Sequence, residues 1–529
     1  MRAWRMLLLV VALIWTITLC ASAAEQDEQS SGKWRPYVIA CLDTLIERGT
    51  DVYGPVKTPM LMSILDVRSL ESPEEPELYD DFYRTEGRPD HGRRSPGGSN
   101  LWLDQPLIKT MYECSKATSN DKYSRAADAY VQATFEHAFM AAGLLGWGSH
   151  TYYHAHQDKL AGDGQHEILI IHPTWTDMYR VNPLAVCKEI DNIWEQHIVD
   201  KETGAHDRHN NHSSLKADFC YSGGSFALAF AFMHKATGEQ EYIDKAKLVA
   251  NWHYEHRNEE TGLVRDAPLL GDGYGANHCQ TAVAGPFASQ MLRCYELTGD
   301  ERFLEVGVGC IRSYARYAWD EEARSYWSLL TVDGKRIPQQ PPKSDKHPED
   351  YWLPTGHVDV WRTVMYTWEF PLIAAQASIY AYELTEEAHR SKDEELITIA
   401  RQWGEVIEKN SPPYLGRRWK QELEKGFPEI SESGGTYAEN YGRAISFFVH
   451  LYQATGDQKY LILAEQLAQE AVDKLYVEVD LDGVDGDTTY GIFRGHPAKP
   501  YYQSNDFVGI LLYALLELDT PSQHFRGAF

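Results

Sequence analysis

One short phrase recurs along this chain and restricts what it can fold into. A helical stretch ends in Thr, a Gly or small polar residue follows, then an acidic residue, and then Tyr or Phe opens the next helical stretch. The copies are Thr118-Ser119-Asn120-Asp121-Lys122-Tyr123, Thr237-Gly238-Glu239-Gln240-Glu241-Tyr242, Thr298-Gly299-Asp300-Glu301-Arg302-Phe303 and Thr455-Gly456-Asp457-Gln458-Lys459-Tyr460, with Thr385-Glu386-Glu387 as a degraded fifth. Gly takes the left-handed conformation that ends one helix, and the acidic residue sits at the positive start of the next. Flanking segments such as 227–234 and 242–253 carry apolar residues at three- and four-residue spacing, as amphipathic helices do. The repeated unit is therefore a helix hairpin.

The Thr positions are separated by 119, 61 and 157 residues, close to two units, one unit, and two and a half units with an insertion. About 60 residues per hairpin gives six to eight hairpins, which either stack as a solenoid or close into a ring. Long aromatic-rich connectors favour closure. The expectation is an all-α fold, an (α/α) toroid or barrel of about six to seven helical hairpins with long loops and minor β structure. In it, inner helices line a cleft and loops at one end carry the site. A first helix begins near Tyr37 with Val38, Leu42 and Leu45 on one face, and a last apolar helix covers 507–518. Residues 51–59, 71–99 and 334–361 read as loops, the last as a rim over the cleft. No linker separates a second domain, so 25–529 reads as a single catalytic toroid.

Charge and composition limit the partners. The chain has 529 residues, of which 43% are hydrophobic, so it can bury a large core. Its formal net charge of −27 opposes nucleic acid and anionic membranes, which need a basic face. An acidic ligand would need a local cation, an arginine or a metal. Residues 1–24 read as an export signal: Arg2 and Arg5, an apolar run over 7–19, then Ala21-Ser22-Ala23 or Ser22-Ala23-Ala24. No later segment reads as a membrane span. The mature chain is expected to be secreted or periplasmic, and a monomer. Without Cys20, seven widely spaced cysteines remain, read as buried free thiols.

Histidine, acidic and aromatic residues crowd into 147–209: Trp147-Gly148-Ser149-His150, His166-Glu167, His172-Pro173, Trp194 with His197, and Arg208-His209. His150, Glu167 and His209 could supply two imidazoles and one carboxylate, a set that suits a transition metal and leaves positions open for a ligand. The other reading is hydrogen-bonded histidines in an aromatic cleft. His166-Glu167-Ile168-Leu169-Ile170 lacks the second histidine of a zinc-protease helix. Trp147, Trp175 and Trp194 are the aromatic residues placed near a sugar ring. Arg494 and His496 read as a rim or structural pair.

The run Gly143-Leu144-Leu145-Gly146-Trp147-Gly148-Ser149-His150, with His166-Glu167, Trp194-x-x-His197 and Arg208-His209, resembles family 2 pectate lyases. Tyr53-Gly54, Thr58-Pro59 and Gly435-Thr436-Tyr437-Ala438-Glu439 fit the same group, so the likeness extends over roughly 50–515. Ser149 stands where glycine is usual, and Ile168-Leu169 follow Glu167 where a basic residue is usual; both departures bear on the substrate. The resemblance implies an α/α toroid that cleaves an acidic polysaccharide by β-elimination. It implies that His150, Glu167 and His209 hold a divalent transition metal (manganese, cobalt or nickel) and that Arg208 is catalytic. His166 and His197 join the three tryptophans as substrate-binding candidates, and Arg293 and Arg312 are candidates for the second arginine the family implies. Should arginine fail as a base, His197, His206 or a tyrosine would take that role. The competing readings are a toroid glycoside hydrolase with paired carboxylates, a sugar epimerase and a non-catalytic carbohydrate-binding protein.

Overall fold

The computed structural model describes residues 32–75, 95–148, 150–210, 217–270, 276–339, 355–361, 370–389, 391–410, 412, 434–481, 489–497 and 499–521. The export signal at 1–24, Ser149, and the middles of the loops expected at 71–99 and 334–361 lie outside them.

Fourteen α-helices alternate between an outer and an inner layer among the described residues. The outer ones are α1 (Arg35–Arg48), α3 (Lys122–His137), α5 (Pro183–His197), α7 (Gln240–Glu255), α9 (Glu301–Ala318), α11 (Glu394–Lys409) and α13 (Gln458–Leu475). The inner ones are α2 (Gln105–Thr118), α4 (Trp175–Val181), α6 (Cys220–Thr237), α8 (Ala288–Thr298), α10 (Pro371–His389), α12 (Ala438–Thr455) and α14 (Val508–Asp519). Burial separates the layers. Outer α9 buries Phe303, Leu304, Val306, Gly307, Cys310, Ile311 and Tyr314, one face at helical spacing. Inner α12 and α14 are buried along nearly their whole length, as helices covered on every side must be. From α6 each inner helix packs on the next, and α14 packs on α2, so the ring closes. Thr110 Oγ1 in α2 donates to Gly509 O in α14 at 2.9 Å across that seam. The fold is an α/α toroid, and the solenoid alternative is discarded.

The recurring phrase is the inner-to-outer turn. Inner helices end at Thr118, Thr237, Thr298 and Thr455, and the next residue in each case has a left-handed backbone, with φ between 53° and 76°. Each threonine Oγ1 donates to the carbonyl four residues back, at 2.6 to 2.8 Å. In the three glycine copies it also accepts from the acidic residue's N–H at 3.2 Å. Asp300 and Asp457 then cap the following helix by accepting from Arg302 N and Lys459 N. The degraded copy at Thr385 is not a turn, because α10 runs on to His389.

All short turns fall on one face of the ring. Outer helices end and inner helices begin on the other, so the long connections 49–104, 138–174, 198–219, 256–287, 319–370, 410–437 and 476–507 start and finish there. Small antiparallel sheets stiffen that face. The expected loop at 51–59 is partly strand, since Thr50–Asp51 pairs with Thr58–Leu61. The last helix starts at Val508 as expected within one residue. The seven described cysteines are free, and all but Cys187 are buried.

Inside the ring, His450 of α12 lies 2.7 Å from Glu383 of α10 and 3.3 Å from Glu517 of α14. Burial opposes its charge, but the two carboxylates outweigh burial and hold its pKa well above the ordinary value. A raised folded-state pKa means this tie stabilises fully below the unfolded value of about 6.5 and is lost as pH climbs through the raised one. Unfolding of His450→Gln measured against pH should therefore lack the alkaline decline that His450 gives the native chain. Asp457→Ala removes a cap, and Gly456→Ala forces a left-handed alanine. Each should lower stability by about 1 kcal/mol in denaturant melts without altering the fold.

Candidate metal centre

Two of the long connectors bring three candidate ligands together. Asn100 clamps Gly148, donating from Nδ2 to its carbonyl at 2.9 Å and accepting its N–H at 3.2 Å. Gly148 bridges to Glu167, and its φ of +93° and a notional Cβ only 2.0 Å from Glu167 O exclude any larger residue. His150 follows at the mouth of a hairpin in which Thr151–His154 pairs with Lys159–Gly162. His209 comes from the next connector, where Asp207 Oδ1 accepts its N–H at 3.1 Å and Arg208 N donates to Ala217 O at 3.0 Å.

The donor atoms of His150, Glu167 and His209 lie within 4.8 Å of one another, and all three residues are buried. His150 Nε2 is 3.1 Å from Glu167 Oε2, and His209 Nε2 is 3.5 Å from Oε1. The imidazole rings stand 5.0 Å apart at 87°. Arg208 Nε is 3.5 Å from Glu167 Oε1, its guanidinium 5.0 Å from the Phe219 ring centre. Burial alone would keep Glu167 protonated. Arg208, His150 and His209 outweigh it and hold the carboxyl well below the usual carboxylate range. A charged carboxylate facing two imidazole nitrogens fits a divalent ion, and Nδ1 of buried His209 has no hydrogen-bond partner. The group could hold a metal.

Behind the trio runs a buried polar relay. Glu189 accepts from Leu145 N at 2.6 Å and from Trp147 Nε1 at 3.0 Å, and it meets His166 Nε2 at 2.9 Å. His166 Nδ1 meets His197 Nε2 at 2.8 Å, and His197 Nδ1 donates to Asp207 O at 2.9 Å. The relay thus spans from α5 to the residues next to Glu167 and His209. It corrects three expectations. Trp147, His166 and His197 are 0% exposed, so they offer no surface to a sugar and instead support the ligand segments. His206 is also fully buried, beside His253, which removes it and His197 as a base facing substrate.

The remaining candidates lie elsewhere. Trp175 is 3% exposed, edge-on to Trp147 and stacked on Phe232. It lines a cavity of about 210 Å³ together with His172, Lys109 and Arg293, and no member of the trio lines that cavity. Trp194, half-buried on outer α5, packs against Phe230 beneath Lys245. Arg312, on outer α9, pairs with Asp393 and Glu395. Neither Arg293 nor Arg312 joins the trio: Arg293 lines the cavity beside Trp175, and Arg312 is held in the outer layer by its two carboxylate partners. Arg494 donates to Lys474 O, and buried His496 packs on Tyr437.

Glu189 was legible in principle. It shares the buried face of α5 with Val186, Ile190, Ile193 and His197, where a carboxylate needs a reason. Asn100 and Asp163, the latter 2.6 Å from His150 Nδ1, carry no local signal; only the strand register places them.

Residues 89–223 match the model of the periplasmic pectate lyase family. That segment contains the trio, Arg208, the clamp Asn100 and the relay. No curated protein matches the chain. Among solved structures, D-mannose isomerase is similar at 10% identity and TM-score 0.46, covering 92% of this chain and 97% of its own. Cellobiose 2-epimerase from Bacillus thermoamylovorans is similar at 11% identity and TM-score 0.43, covering 92% and 99%. The family 76 glycoside hydrolase (mannosidase) of Bacteroides thetaiotaomicron is similar at 13% identity and TM-score 0.42, covering 92% and 98%.

Glu189→Ala takes the side-chain acceptor from the buried Leu145 N–H and one of the two partners of Trp147 Nε1, so it should lower stability by about 1–3 kcal/mol in chemical unfolding. Glu189→Gln, which keeps an acceptor, should lose less.

Proposed function

We propose that this protein is a polysaccharide lyase, acting outside the cytoplasm, that cleaves a uronate-containing polymer of the pectate or polygalacturonate type by metal-assisted β-elimination. The observation that carries the reading is the buried trio of His150, Glu167 and His209 with Arg208 against its carboxylate, inside the segment that matches the periplasmic pectate lyase model. The net charge of −27 does not exclude an acidic polymer, which needs a local cation, arginine or metal, to offset the field of the whole protein.

His150, Glu167 and His209 would hold the ion. A divalent transition ion there would neutralise the uronate carboxylate and turn the field at Arg208 against its proton. The chain supplies the rest. Arg208 keeps 17% of its side chain exposed, enough to reach a sugar at the loop face, while Phe219 supports the guanidinium. In the free site the Glu167 carboxylate favours the charged guanidinium. To act as base Arg208 must first release its own proton to solvent; the neutral guanidine then takes the C5 proton, the electron pair left on C5 forms the C4–C5 double bond, and the C4–O4 bond breaks. Water protonates the departing O4. The burial of His197 and His206 supports Arg208, beside the trio and part-exposed, as the base, with a tyrosine as the alternative.

The test is a polygalacturonate assay following the ultraviolet absorbance of the unsaturated product, with manganese and then with a chelator. The expected outcome is a rise that the chelator abolishes and manganese restores. Arg208→Ala should lower kcat by about a hundredfold to ten-thousandfold. Reducing ends without the absorbance would show hydrolysis and overturn the elimination.

A further inference from the structure

His150 is held on two sides, and the second side is a carboxylate outside the trio. Asp163 Oδ2 lies 2.6 Å from His150 Nδ1, while Nε2, on the opposite edge of the ring, faces Glu167 Oε2 at 3.1 Å. The hairpin's register puts the pair there. Thr151 is opposite Gly162, so the next residues outward are His150 and Asp163, and Asp163 N donates to His150 O at 3.1 Å. Gly162 has a φ of +99°, and a Cβ on it would stand 2.0 Å from His150 O, so glycine is what lets the two segments close. The other Asp163 oxygen accepts Gln165 N at 3.0 Å, and Thr151 Oγ1 donates to Gln165 O at 2.7 Å. The carboxylate is thereby aimed.

A neutral imidazole has one N–H, and a carboxylate only accepts. In the neutral ring that a metal ligand must be, the 2.6 Å contact with Asp163 keeps the hydrogen on Nδ1 and leaves the Nε2 lone pair toward Glu167 and His209. A carboxylate behind a ligating histidine also raises the basicity of the ligating nitrogen. We propose that Asp163 is a positioning residue that fixes the tautomer and ring orientation of His150 for metal binding by the trio. The inference rests on the metal reading given under Proposed function. Asp163 is not a fourth ligand: its Oδ2 sits on the Nδ1 side of the ring, outside the cluster of three whose donor atoms converge.

The experiment titrates Mn²⁺ calorimetrically into the full chain and records ring-nitrogen NMR spectra of the metal-free protein at alkaline pH, where the His150 ring is neutral, assigning it with His150→Gln. In the native protein His150 should appear as the Nδ1–H form, with one Mn²⁺ bound per chain. Asp163→Ala should bind Mn²⁺ about ten- to a hundredfold more weakly and show both tautomers. Asp163→Asn keeps one acceptor oxygen in place of two, so it can serve Nδ1–H but not Gln165 N as well; it should hold the tautomer and lose affinity to a smaller extent than alanine. It also serves if the alanine variant unfolds. Native Mn²⁺ binding with unchanged affinity in both variants would overturn the role of Asp163 and leave the metal reading standing. No Mn²⁺ binding by the native chain would overturn the metal reading. The NMR arm would then still decide Asp163, which fails if His150 keeps one tautomer in Asp163→Ala.

Discussion

A charged carboxylate sealed from water must be offset by its neighbours, and Glu167 sets that demand at the loop face of this ring. Three side chains meet it: His150 from the start of a hairpin, and Arg208 and His209 from the next connector. Each is carried by a segment that has no regular structure of its own to hold it. The surrounding architecture supplies what is missing. Asn100 clamps Gly148 from a third connector, and the relay through Glu189, His166 and His197 ties the Glu167 and Asp207 segments to α5. The site is therefore rigid because it is embedded, although it is built from loops.

The ring makes this possible by separating two kinds of connection. Four of the turns from inner to outer helices are closed by a threonine hydroxyl and a left-handed residue, and two of these add an aspartate cap. Connections from outer to inner helices are long, and all emerge on one face. Length on that face costs little in loop entropy. It can accumulate clamps, small sheets and charged groups while the helices behind bury the apolar surface. Ties such as Glu383–His450–Glu517 across α10, α12 and α14 hold the lumen together where no backbone links neighbouring inner helices directly.

Much of this was legible in the sequence because it is local. The Thr-Gly-acid phrase depends on five or six consecutive residues, and it marks four of the short turns; the copy at Thr385 misled because it has neither the glycine nor the break that goes with it. The trio was readable as a ligand set because imidazole and carboxylate side chains crowd into one stretch. What could not be read is which side of a residue faces where. Trp147, His166 and His197 share the motif's segment, yet point into the core, since hydrogen bonds to Glu189 and Asp207 depend on the packing of α5. Arg293 and Arg312 were judged by charge alone, and they lie elsewhere. Asp163 and Asn100 depend on register between strands, which no window of sequence contains.

The central claim is that His150, Glu167 and His209 form one metal centre. Crystals of the full mature chain soaked in manganese, measured at a wavelength where manganese scatters anomalously, test it most directly. The account predicts a single strong anomalous peak between His150 Nε2, the Glu167 carboxylate and His209. Density that shows the three side chains in hydrogen bonds to one another, with no peak among them or with the peak at another site, would contradict it.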